Sequence, residues 1–101
     1  MNPKNKMRPI HPGEILREEF LAPLGMSANA LAIELKVPAP RINDIVRERR
    51  SVTPDTALRL ARYFGTTPEF WLNLQTAYGL KVAQREHGSR IEKEISERRA
   101  A

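Results

Sequence analysis

SANALAIELKVPAPRINDIVRERR, residues Ser27 to Arg50, holds two short helical runs separated by a tight break. Ser27 is a good N-cap, because its hydroxyl can accept from a backbone N–H of the first turn. Ala28, Leu31, Ala32 and Leu35 follow at i, i+3, i+4 and i+7, one buried stripe over about Ala28–Lys36. Val37-Pro38 interrupts it. A second run, about Ala39–Arg47, places Ile42, Ile45 and Val46 inward and Arg41, Asn43, Asp44 and Arg47 outward. Pro40 in its first turn loses no helical hydrogen bond and presets φ. Proline also biases the residue before it away from helix, so the expected start is Pro40 with Ala39 as cap.

The same signals extend in both directions. Thr53-Pro54-Asp55 starts a helix that Gly65 ends, with Ala57, Leu58, Leu60, Ala61 and Phe64 as core candidates. Thr67-Pro68-Glu69 repeats the start, and Phe70, Trp71, Leu74, Ala77 and Tyr78 follow at helical spacing. Gly79 and then His87-Gly88-Ser89 are expected to interrupt. The last stretch, SRIEKEISERRAA, offers only Ile91 and Ile95 as large apolar residues, too little to hold a helix alone. Upstream, Pro12-Gly13-Glu14 opens a helix carrying Ile15, Leu16, Phe20 and Leu21, expected to break at Pro23 and Gly25. Residues 1–9 read as a loose basic arm. The expected fold is all-α: five short helices plus a sixth at the end. The organisation is an arm at 1–9, a domain at 10–86 and a helical tail at 87–101.

Composition narrows the function. The chain has 101 residues, 41% hydrophobic and 29% charged, which suits one globular domain. It has no cysteine, which removes disulfides and thiol chemistry. No apolar run could span a bilayer, and a cytoplasmic location with no membrane partner is the default expectation. His11 and His87 are isolated, there is no nucleophile–base pair, and no cofactor or metal is expected. The net charge is +5, and it is concentrated. Residues 41 to 62 hold Arg41, Arg47, Arg49, Arg50, Arg59 and Arg62 against Asp44, Glu48 and Asp55. Arginine forks suit phosphates and guanine edges, although a solvated basic face has the same composition.

The order helix, tight turn, helix, basic loop, helix is that of a helix-turn-helix, whose second helix enters the major groove. Ala32 is small enough for two crossed helices to pack closely, and Val37 can plug the turn. Arg41 can fork onto guanine O6 and N7. Asn43 is a poor mid-helix residue, suited to adenine or to phosphate. Asp44 repels phosphate; it either accepts from cytosine N4 or, the reading preferred, orients Arg41 or Arg47. Arg49 and Arg50 are candidate phosphate contacts. Phe70, Trp71 and Tyr78 are core or dimer seam rather than a platform for stacking bases; the seam is expected on 68–83, with Phe70, Trp71, Leu74, Tyr78 and Leu80 as its dimerisation residues.

Residues 27–64 resemble the DNA-binding domain of phage-repressor-like Cro/C1-type regulators. More closely, RPIHPGEILREEFLAPLGMS (8–27), INDIVRERRSVTPDTALRLARYFGTTPEFWLNLQ (42–75) and AYGL (77–80) are similar to the HigA antitoxins, also called plasmid-maintenance or virulence-associated protein I. The resemblance covers about Arg8–Ala83. It implies an antitoxin that represses its own operon by binding double-stranded DNA at a palindromic operator as a homodimer. It also implies neutralisation of an mRNA-cleaving HigB-type toxin of RelE/ParE-like fold. Carried over residue by residue, it puts Ala39, Pro40, Arg41, Asn43 and Asp44 at base-contacting positions. Ser27, Asn29, Arg47, Arg49 and Arg50 take phosphate-contacting ones. Ala28 departs from the pattern, since many such repressors carry a phosphate-binding glutamine there. A stand-alone regulator of this fold is the alternative. Pro40 and its neighbours offer an apolar surface for a thymine methyl, and the Glu14/Glu18/Glu19 face of the first helix is a candidate dock for a basic toxin.

Overall fold

The computed structural model describes residues 7–99, and among them there are five helices and no strand. The arm and tail expectations for residues 1–6 and 100–101 lie outside the described residues. Helix α1 covers residues 12–24 in three continuous pieces: an α-helical turn Pro12–Ile15, a π-helical stretch Leu16–Leu21 and an α-helical turn Ala22–Leu24. Pro23 therefore does not break it. Proline has no N–H for the Glu19 carbonyl, and the ladder widens just upstream, where Ala22 N–H reaches the Arg17 carbonyl. Gly25, at φ 59°, ends the helix in the left-handed region that glycine adopts without strain.

Helix α2 is Ala28–Leu35 and α3 is Ala39–Val46. Ser27 caps α2 by accepting from Ala30 N at 3.0 Å. Lys36, at φ 61°, closes α2 in a left-handed turn whose N–H groups reach back to Ala32 and Ile33. Val37 follows, its N–H on the Ala32 carbonyl at 3.1 Å, and its side chain packs on the core. Helix α4 is Pro54–Phe64, capped by Thr53 and ended by Gly65, as the sequence signals require.

Helix α5 runs unbroken from Pro68 to Glu94. This corrects the expected breaks at Gly79 and His87-Gly88-Ser89 and absorbs the first half of the separate terminal helix. Glycine keeps both its N–H and its C=O, so each one weakens the ladder by about 1 kcal/mol without interrupting it. Only proline would remove a rung. At 1.5 Å per residue, α5 is roughly 40 Å long, and Trp71 is its one buried residue among those described.

The core is Leu16, Leu21, Leu31, Ala32, Leu35, Ile42, Ile45, Val52, Ala57, Leu60, Ala61 and Trp71. One expected member is absent. Leu58 is 60% exposed, because the inward stripe of α4 runs through Ala57, Leu60, Ala61 and Phe64 and position 58 falls beside it.

Candidate nucleic-acid interface

Helix α3 is set in place from both ends. At its start Pro38, with φ −62° and ψ 142°, is the cap, and Ala39 is already helical. The helix thus begins one residue earlier than Pro40. The local bias before proline is outweighed by half-burial of Ala39 against the core and by the Arg41 N–H bond to the Pro38 carbonyl at 3.1 Å. Pro38 and Pro40 are exposed.

At its far end α3 is gripped by α1. Arg17 donates to the Val46 carbonyl through one Nη and lies 3.5 Å from Glu48 through the other. Gly13 sits against the Ile45 carbonyl so closely that a Cβ there would lie 1.7 Å from the oxygen. His11 holds this contact in register. Its Nδ1 accepts from Gly13 N at 2.8 Å, its ring meets Tyr78 edge-on at 4.8 Å, and burial lowers its pKa. An Nδ1 that accepts must carry no proton, so the ring is the neutral Nε2–H form. Arg8 pairs with Glu14 through two bonds of 2.7 and 2.8 Å. The HPGE stretch is thus the cap, the preset first turn, the close approach and the acidic first turn of one docking joint. Arg17 was not singled out in the sequence, where nothing marks a base whose target lies 29 residues away.

The outer face of α3 differs from expectation in its pairing. Arg41 Nη1 donates to Asp55 Oδ2 at 2.7 Å. Asp44 instead lies 3.6 Å from Arg50, and its carbonyl accepts from Arg49 N at 2.8 Å. The reading of Asp44 as the aligner of Arg41 or Arg47 is therefore corrected. Asp55, one helix further on, reaches Arg41 because α4 begins beside the start of α3. Asn43 donates from Nδ2 to Asn29 Oδ1 at 2.6 Å and to the Ala39 carbonyl at 3.0 Å. In this conformation it braces α3 to α2, and among the described residues its side-chain oxygen has no partner. Among the described residues the guanidinium groups of Arg47 and Arg49 have no partner, so both charges face solvent. Gln75 Oε1 accepts from Val52 N at 2.7 Å and ties the basic loop to α5.

The residues named for a seam separate. Trp71 is fully buried, and its indole N–H donates to Thr66 Oγ1 at 2.8 Å. It belongs to the core and has nothing left to offer a partner chain. Leu74 and Tyr78 are half-buried and line a cleft with Met7, Arg8, Pro9 and Ile10. Phe70 and Leu80 are exposed. Of the acidic face of α1, Glu14 is taken by Arg8 and Glu18 lies 3.3 Å from Arg17, which leaves Glu19 unpaired among the described residues.

Among the described residues no group of acidic, histidine or cysteine side chains could hold a metal, and no helix is long and apolar enough to cross a membrane. The basic face around α3 holds a cleft lined by Arg41, Arg50, Asp55 and Arg59.

A helix-turn-helix family profile matches residues 16–71. Virulence-associated protein I of Dichelobacter nodosus is 62% identical over 86 residues, covering 85% of this chain and 80% of its own length. The antitoxin HigA of Pseudomonas aeruginosa, solved with the higBA promoter, is 56% identical with a TM-score of 0.86, covering 88% of this chain and 97% of that one. The antitoxin GraA in complex with its operator is 55% identical with a TM-score of 0.88, covering 98% and 100%. Joined to a braced α3 and its basic loop, these likenesses are sufficient: the chain belongs to the helix-turn-helix family, in its group of HigA antitoxins.

Proposed function

We propose that this chain is the antitoxin of a type II toxin–antitoxin module and represses its own operon. Helix α3 enters the major groove of an operator, with Arg41 on a base edge. Arg47, Arg49, Arg50 and the start of α2 at Ser27 and Asn29 meet the phosphates. The observation that carries this reading is the likeness to two antitoxins solved with promoter or operator DNA, over nearly their whole lengths. Arg41 stands on α3, and Arg47, Arg49 and Arg50 follow it directly. The chain acts as a regulator that binds DNA and not as an enzyme.

Two further parts belong to the same proposal. A single eight-residue helix reads too few base pairs for useful discrimination. The chain therefore acts as a homodimer on a palindrome whose half-sites lie about 34 Å apart. The partner it neutralises is an mRNA-cleaving toxin of RelE/ParE-like fold, encoded beside it.

The test is co-expression with the adjacent gene product, followed by footprinting on the shared promoter. A protected palindrome and a co-purifying toxin are expected. Protection without a toxin leaves a stand-alone regulator, and no protection at any salt concentration refutes the reading. Operator affinity should also fall steeply with salt, as counterions are released from the phosphates.

A further inference from the structure

Arg41 does not hang free from α3. A chain of hydrogen bonds runs across all three helices of the DNA-facing unit. Arg59 Nη1 on α4 donates to the Leu35 carbonyl at the end of α2, at 2.8 Å. Arg59 Nε donates to Asp55 Oδ2 at 2.9 Å. The same oxygen accepts from Arg41 Nη1 at 2.7 Å. Asp55 stands in the first turn of α4, directly after Pro54, where the Thr53 cap fixes the backbone. The nearer candidate, Asp44, is three residues along α3 but is paired with Arg50.

The arrangement leaves Arg41 with the useful half of its guanidinium. Asp55 takes one N–H of Nη1, and among the described residues the Nε–Nη2 edge stays unspent. That edge is a two-pronged donor of the kind that reads guanine O6 and N7. The pair lies at the surface, with Asp55 57% exposed, and exposed pairs of this kind add little to folding stability. Hydrogen bonds from Arg59 and then Arg41 hold the Asp55 pKa below the ordinary carboxylate value, so the acceptor is charged at neutral pH. An acid beside phosphates also weakens non-specific DNA binding. A first-turn acid suits the dipole of α4, but that role needs no contact with Arg41; the 2.7 Å bond adds orientation of a neighbour.

We propose that Asp55 is a positioning residue for specificity: it aims the Arg41 guanidinium at one base pair of each half-site before DNA is bound. The proposal rests on the reading of Arg41 as a base contact. Orienting a long side chain beforehand spares the entropy of fixing it on binding, equivalent to about three- to tenfold in discrimination.

The experiment compares wild type, Arg41→Ala, Asp55→Asn and the double variant, using dimer of verified fold. Affinities are measured for the operator, for operators carrying each single base-pair change, and for a random duplex. Arg41→Ala should erase the preference at one base pair, a loss of about 5- to 150-fold. Asp55→Asn should weaken the preference at that same base pair about three- to tenfold. Random-duplex binding should hold or tighten, since a negative charge has left the interface. In the Arg41→Ala background, Asp55→Asn should change no preference. A purely structural role at the start of α4 would lower operator and random-duplex binding together and leave the base profile intact, which overturns the proposal. If Arg41→Ala erases a preference that Asp55→Asn spares, positioning fails and base readout stands. If Arg41→Ala erases none, base readout fails and takes the positioning role with it.

Discussion

Gly13→Ala adds one methyl group and strikes the joint between α1 and α3. The new Cβ would stand 1.7 Å from the Ile45 carbonyl oxygen, 2.8 Å from its carbon and 3.0 Å from His11 Nδ1. An ordinary carbon–oxygen contact needs roughly 3.2 Å, so the two backbones must part by about 1.5 Å. No side chain can swing aside, because the obstacle is a helical carbonyl. Ile45 is fully buried, so parting the helices also loosens the core around it. Overpacking of this kind costs about 1–3 kcal/mol, and disturbing the His11 cap adds about 1 kcal/mol. We expect Gly13→Ala to destabilise the protein by about 3 kcal/mol in urea unfolding with an unchanged slope. Operator affinity should fall further than the folded fraction explains, because α3 is displaced by more than the ~0.5 Å that a binding site tolerates. Gly79→Ala is the control, since nothing lies within 4 Å of its added Cβ. There the methyl should be neutral or stabilising, by up to about 1 kcal/mol. A Gly13→Ala protein whose urea midpoint matched wild type would refute the close-approach argument.

Three other outcomes follow from the same geometry. Burial lowers the His11 pKa below the ordinary imidazole value of 6.5, so the unfolded chain takes up that proton first. Stability is complete above pH 6.5 and should decline as pH falls below it. A urea series from pH 8 to 5 would show the decline, and His11→Asn, which can still cap, should flatten it. Arg17→Met keeps the aliphatic stem but abandons the Val46 carbonyl; a loss of about 1.5 kcal/mol is expected for a charged donor, together with weaker operator binding. A thermal midpoint unchanged by Arg17→Met would contradict the role given to that bond. Lys36→Gly relieves a side chain held at φ 61° and should stabilise by about 0.5–1 kcal/mol, visible as a higher melting temperature without change in DNA preference.

The sequence alone determined four of the five helix starts and most of the stops. Ser27, Thr53 and Thr67 each cap a helix by accepting from a backbone N–H three residues on, and Gly25 and Gly65 end helices at positive φ. Such signals lie within one turn of chain and need no knowledge of what lies across the fold. The 57, 60, 61, 64 stripe of α4 is equally legible, and Leu58 is next to it in sequence but not on the same face. The continuity of α5 is not legible locally, because glycine weakens a helix by an amount that a long hydrogen-bonded ladder absorbs, whereas proline removes a rung.

Only the tertiary structure decided which charge meets which. Arg41 finds Asp55 rather than Asp44, and Arg17 finds the end of α3. Gly13 touches Ile45, 32 residues on, and Trp71 turns inward. The cause is common to all four: charge pairing, close approach and burial depend on how helices cross, and a crossing brings together residues that no local period relates. The sequence shows a short helix followed by a basic loop. The fold decides how that helix is held and which acid each arginine meets.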